Sequence, residues 1–385
     1  MKSLIWIFSL SICGQAFAGP LTCQTSAVPL TVRSEGLTER VGDLSLICTG
    51  GDPSSTVIGN FTIFLNVAIT NKIVAANATD VQFTYDLLDS NGPHLSGVPG
   101  ILSNNLLTFS GVSFPLNSSG GVNLRISNIR ANATALPAGQ NSIQASIAVN
   151  GAALLPLTQS QLIVAFPQAS LLDGFSGVVV CDQKGSPGPA KLSFAAYIAA
   201  GASFNSTRIT EGFASAFAPK ADPINFNGGS GERFLITYSG LPDGAQLAVP
   251  DVIAGSDSLL PTAGGDMGAA ASGGSYAPTP EGSLLLARVY NSDASGAGGN
   301  PVYTPGVPGS GAVNFDTLGK VSLVNGAGTV VYEVVDANDT VVESAQFPTF
   351  LSLPANVVSG VVFTTETVSY APVSTIGAPV ADAAV

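Results

Sequence analysis

The chain has 385 residues, of which 45% are hydrophobic and only 10% charged, with a formal net charge of -12. That acidic balance argues against a nucleic-acid partner, whose phosphates demand a basic face, and against anionic membrane surfaces. Low charge with high apolar content argues against a disordered chain, and 44 glycines and 25 prolines suit many short strands joined by turns.

The first residues have an address-label pattern. Lys2 supplies a positive charge, an apolar run extends from Leu4 to Ile12, and the small-residue site Ala16-Phe17-Ala18 follows. This is the signature of a secretory signal peptide over residues 1–18, with cleavage after Ala18. The run is too short for a bilayer core of about 30 Å, which takes about 20 residues. No later stretch is long and apolar enough to be a transmembrane segment, so the expectation is a protein secreted outside the cell or held at its surface. Ile12 before Cys13 disfavours a lipid-attachment cysteine. Cleavage also removes Trp6, the single tryptophan; sugar platforms often use Trp faces, so its loss weakens a sugar-binding reading.

Three cysteines remain: Cys23, Cys48 and Cys181. An oxidising compartment permits a disulfide. The favoured pair is Cys23 with Cys48, closing a loop worth about 3 kcal/mol. Cys48 with Cys181 is the rival; otherwise Cys181 reads as a small buried residue after Val178, Val179 and Val180. With no C-x-x-C pair, a zinc site is not expected.

Residues 19–168 read as an N-terminal β-sandwich domain. Phe61, Ile63, Leu65, Val67 and Ile69 alternate with Asn60, Thr62, Phe64, Asn66, Ala68 and Thr70, and successive strand side chains point to opposite faces. Val81, Phe83 and Tyr85 continue the pattern, as do Leu124 and Ile126, and Ile143, Ala145, Ile147 and Val149. Turn signals separate these runs at 90–93, 117–121 and 137–139. A second β domain spans 169–253 and includes Phe234, Ile236 and Tyr238. The stretch 194–201 holds alanines that favour a helix, yet its neighbours favour strand, and strand is the expectation. Residues 254–312 read as low-complexity loops or linker with one strand. Residues 313–385 read as a C-terminal β region docked on the second domain. There the turn at 336–339 is expected to close a hairpin back to Val341. The predicted fold class is all-β: two or three β-sandwich (Ig-like) domains with Gly/Ala/Ser/Pro-rich loops.

Four stretches carry a resemblance. The first covers 32–43, with Arg33, Glu35, Gly36, Glu39, Arg40 and Asp43, and leads to Cys48-Thr49-Gly50-Gly51. The second is 126–133 around Arg130, the third 209–217 with Glu211 and Phe213, and the fourth 371–377. In that order they resemble a family of exported β-rich proteins of unknown function from acidobacterial and other environmental bacteria. The resemblance implies export and layout, and brings no catalytic residue with it.

Candidate chemistry is sparse. Nucleophilic catalysis most often needs a histidine base, and the single histidine, His94, sits in a loop pattern. No G-x-S-x-G elbow is present. Two carboxylates could run glycoside hydrolysis, with candidates Glu35, Glu39, Glu211, Glu232 and the pair Asp336 and Asp339. Glu35 and Glu39 beside Arg33 and Arg40 read first as a salt-linked loop. Asp336, Asn338 and Asp339 are weak candidates for a calcium site, and turn chemistry accounts for them equally well. The six N-x-S/T sequons read as chance in a bacterial chain. No catalytic residue, cofactor or cofactor-binding residue is assigned. The leading expectation is a non-catalytic structural or interaction protein of the cell surface or extracellular matrix, its partners being itself or surface and matrix polymers. A carbohydrate- or calcium-binding module is the alternative, and a two-carboxylate hydrolase comes third.

Overall fold

A computed structural model of the chain describes residues 20–103, 105–151, 155–176, 193–199, 204–219, 231–257, 284–303, 315–354 and 365–371. Residues 1–18, where a signal peptide was expected, and Cys181 lie outside these residues. The fold is all-β, with one short α-helix and one 3-10 turn (Ala133–Ala135) among the described residues.

The first fifteen strands are β1 (Thr22–Ala27), β2 (Leu30–Arg33), β3 (Glu39–Arg40), β4 (Leu44–Thr49), β5 (Thr56–Leu65), β6 (Ile73–Ala75), β7 (Ala78–Thr79), β8 (Gln82–Asp86), β9 (His94–Leu95), β10 (Ile101–Ser103), β11 (Leu106–Pro115), β12 (Val122–Ser127), β13 (Arg130–Ala131), β14 (Ile143–Gly151) and β15 (Gln161–Gln168). They form a five-stranded sheet in the order β1-β4-β12-β8-β9 and an eight-stranded sheet in the order β2-β15-β14-β5-β11-β10-β7-β6; β3 and β13 pair apart. Alternation drives the stacking: Phe61, Ile63 and Leu65 of β5 point inward and are fully buried, as are Leu44 and Leu46 of β4, and all join one core. Phe61 meets Phe83 edge-on at 4.8 Å, so aromatic rings bridge the two sheets. At Gly111, with φ +70°, the register of β11 against β5 shifts, and Asn60 accepts the Gly111 N–H at 2.7 Å. Cys23 lies opposite Cys48 in the β1–β4 ladder, and the two are joined as a disulfide; the Cys48–Cys181 rival is thereby excluded.

The remaining elements are β16 (Leu171–Ser176), α1 (Phe194–Ala199), β17 (Phe204–Glu211), β18 (Arg233–Ser239), β19 (Gln246–Pro250), β20 (Val252–Ala254), β21 (Leu285–Tyr290), β22 (Asn300–Pro301), β23 (Leu318–Val321), β24 (Gly328–Asp336), β25 (Ser344–Ser352) and β26 (Thr365–Ala371). One sheet runs β16-β17-β25-β19-β23 and the other β20-β21-β24-β18-β26, with β22 added on β21. Their facing sides share a second core built on Phe234, Tyr332 and Phe347. Strands from 171–254, 285–301 and 318–371 therefore interleave in one sandwich: β25 lies between β17 and β19, and β24 between β21 and β18.

Two local expectations fail. Residues 194–199 form a helix, α1, where strand was expected. Ser193 accepts the Ala196 N–H, Asp316 accepts that of Ala195, and Phe194 and Tyr197, one turn apart, pack on Phe350. The turn after Asp336 does not close a hairpin. β24 belongs to one sheet and β25 to the other, so the connection crosses the sandwich. Alternation tells which face of a strand is buried, and is silent on which strand lies beside it.

Candidate functional site

The two sandwiches meet with only residues 169 and 170 between β15 and β16. Around this joint lies a groove of about 830 Å³. Its walls include Val28, Leu30, Arg33, Arg40 and Asp43 from the first sandwich and Phe213 from the second.

Arg33, at the end of β2, is the hub. Its Nε donates to Glu39 Oε1 at 2.7 Å, and its Nη2 lies 2.6 Å from the same oxygen. Its Nη1 contacts Glu232 Oε1 of the second sandwich. Glu232 in turn accepts the Ala218 N–H at 3.2 Å. All three side chains are buried. A guanidinium presents planar donors to two carboxylates at once, which suits it to this place better than lysine. Gly36 leaves room for this carboxylate: a Cβ there would fall 2.1 Å from Glu39 Oε1 and push the Glu39 side chain aside.

A second chain of contacts runs alongside. Glu35 accepts hydrogen bonds from the backbone and hydroxyl of buried Ser170 at 3.3 and 3.0 Å, and the Ser170 hydroxyl lies 2.7 Å from that of Tyr370. Gln168 Nε2 donates to the Gly212 carbonyl at 3.1 Å. At the mouth of the groove, Arg125 Nε donates to Asp43 Oδ2 at 2.9 Å, and Arg40 lies 3.6 Å from the other oxygen. Described residues of the four stretches quoted for the family resemblance meet here, the fourth through Ala371 alone. Arg40 pairs with Arg130 between β3 and β13, Gly36 accepts the Ala133 N–H, Phe213 lines the groove, and Ala371 pairs with Arg233 next to Glu232.

The sequence candidates are distributed as follows. Glu39 and Glu232 come together, but on opposite sides of one guanidinium, so they act as struts and do not form an acid–base pair. Glu35 is tied to Ser170. Glu211 lies elsewhere, at the end of β17, and accepts the N–H groups of Phe217 and Glu343 at 2.8 and 2.9 Å. Glu343, which sequence reasoning missed, accepts the Asn338 N–H at 2.8 Å. Burial pushes the Glu211 carboxyl up to about 7; burial, with the charges of Glu211 and Asp257, pushes that of Glu343 up to about 9. Asp336 is half-buried, which raises its pKa, while Asn338 Oδ1 accepts from Thr340 N–H and hydroxyl and Asp339 is exposed. Among the described residues, no three His, Cys, Asp or Glu side chains are grouped to hold a metal. His94 sits on β9, stacked on Tyr85 at 5.3 Å. That is the opposite edge of its sheet from β1, whose Ser26 and Ala27 line the groove. The missed partners, Glu232 for Arg33 and Ser170 for Glu35, are 199 and 135 residues away in sequence, and nothing local signals them.

No family model and no curated protein matches this chain. Among solved structures it is similar to the B domain of a biofilm-associated protein, at 7% identity over 83% of this chain and 73% of that one, with a TM-score of 0.22. A partial N-terminal region of an enterococcal surface protein is similar at 10% identity over 91% and 93%, with a TM-score of 0.20. The CupB6 tip adhesin from Pseudomonas aeruginosa is similar at 11% identity over 86% and 95%, with a TM-score of 0.18. No helix among the described residues is long and apolar enough to cross a membrane.

Proposed function

We propose that the chain is an exported, non-catalytic structural or interaction protein of the cell surface or extracellular matrix, and that it belongs with the exported β-rich proteins its motifs resemble. The observation that carries this reading is the junction. Two sandwiches are joined through two residues and clamped by Arg33 between Glu39 and Glu232. Domains that move on each other are usually separated by exposed, polar linkers. A two-residue joint with a buried ionic contact across it restricts how the sandwiches move on each other, which suits a part that spaces or presents surfaces. The Cys23–Cys48 disulfide suits an oxidising compartment, and the A-x-A site at Ala18 supplies the route there.

The test is to express the full chain in a Gram-negative host, fractionate the cells and sequence the N-terminus of the product. The expected product starts at Gly19 and is found outside the cytoplasm. It should also bind cell-wall or matrix polymers, or itself. Full-length chain beginning at Met1 in the cytoplasm, or exported protein indifferent to every such surface, would count against the proposal.

A further inference from the structure

We infer that the outer face of the eight-stranded sheet is where two copies of this chain associate. The inference deepens the proposed interaction role by naming a partner and a surface.

The residues of β5, β10, β11, β14 and β15 include no Asp, Glu, Lys or Arg. Their outward positions hold hydroxyls and amides such as Thr62, Thr108, Gln144 and Ser146, with an apolar stripe crossing the strands. Leu106 lies directly opposite Phe64, and Ile101 opposite Thr108. On the other side, Ser146 faces Phe64 and Ile163 faces Gln144. Ile101, Leu106, Phe64, Ile163 and Phe166 are each 38–45% exposed, and Ile58 of β5 is 54% exposed.

The other outer faces differ. The five-stranded sheet of the same sandwich carries the charged Asp86 and Arg125 outward. In the second sandwich the chain covers its own outer faces: α1 packs on Ala248 and Phe350, and Val302 and Tyr303 pack on Ala254 and Ala287. Among the described residues, the outward apolar side chains of the eight-stranded sheet stay exposed.

Charge selects the occupant. Two chains of net charge -12 repel within a Debye length of about 8 Å, and that repulsion is least where the approaching surfaces carry no charge. Hydroxyls and amides both donate and accept, so the face can pair with its own copy about a two-fold axis, as an isologous interface requires. The size also fits. The eight strands hold 49 residues, which at a rise of about 3.3 Å and a spacing of about 4.8 Å define a face on the order of 800 Å², against about 800 Å² per partner in stable interfaces.

The test is sedimentation velocity on the mature full chain from micromolar to several hundred micromolar, at low and moderate salt. Wild type should show a reversible monomer–dimer equilibrium that salt strengthens. Phe64→Lys with Leu106→Lys should weaken association at least tenfold, while Ile47→Lys on the other sheet should leave it unchanged. If the double variant misfolds by circular dichroism, Ser146→Arg, at a small outward position beside Phe64, decides instead. A wild type that stays monomeric throughout overturns the inference, as does equal dimerisation of the charged variants. A monomer that binds insoluble neutral glucan through this face also overturns it, and would assign the face to a polymer. Export, judged by the N-terminus and cell fraction, is read separately, so either idea can fail alone.

Discussion

Replacing Arg33 with Met tests the junction most sharply. The substitution keeps much of the side-chain volume and removes the cation between Glu39 and Glu232, whose side chains are 8% and 2% exposed. Breaking a buried pair by deleting one partner costs about 3–5 kcal/mol, because the remaining charge stays in a poorly solvated place. Here two carboxylates lose the same partner, so the upper end is expected at pH 7, equivalent to a fall in melting temperature on the order of 10 °C. Adding Glu39→Gln and Glu232→Gln should recover much of the loss by removing the uncompensated charges. The assay is guanidinium unfolding at pH 7 followed by far-ultraviolet circular dichroism. An Arg33→Met protein within about 1 kcal/mol of wild type at pH 7 would refute the argument, since the guanidinium would then have been holding nothing together.

Three more outcomes are expected. Replacing Cys23 and Cys48 with Ala should cost about 3 kcal/mol from the loss of a closed loop of 25 residues, measured as a drop in denaturation midpoint with a steeper slope, because the freed unfolded chain exposes more surface. Gly36→Ala should destabilise by a similar amount as Glu39 is pushed aside, and much less in an Arg33→Met background; equal costs in both backgrounds would separate Gly36 from the clamp. Thermal stability should fall as pH rises from 5 to 9. The folded carboxyls of Glu211 and Glu343 sit near 7 and 9, above the ordinary 4.5, so their contribution is complete below 4.5 and lost as pH passes those values. Glu211→Gln with Glu343→Gln should flatten that slope, and an unchanged slope would remove these two groups as its source.

Much of the first sandwich was legible because its strands are amphipathic. The alternation from Phe61 to Leu65 predicts a buried face, and those residues line the core. The Cys23–Cys48 pairing was legible from compartment and spacing. α1 was not: six residues make under two helical turns, too few for a 3.6-residue period to outweigh the strand signals around it. Nor was the passage from β24 to β25, because period-two patterning marks faces and leaves strand order open. The junction was half legible. Arg33, Glu35, Glu39 and Arg40 read as a salt-linked loop, and Arg33 does pair with Glu39. That loop's second partners, Glu232 and Ser170, arrive only through tertiary folding. The uncharged strands β5, β11 and β14 were in plain view, but which of them are neighbours, and so whether their outward residues form one surface, needed the sheet order.

The account stands on the two sandwiches acting as one stiff body. Spin labels at Thr84→Cys on β8 and Lys320→Cys on β23, in a chain with Cys181→Ser, would report the distance between them by double electron–electron resonance. One narrow distance distribution is predicted, broadening when Arg33 is replaced by Met. A broad or multi-peaked distribution in the otherwise unaltered chain would contradict the account.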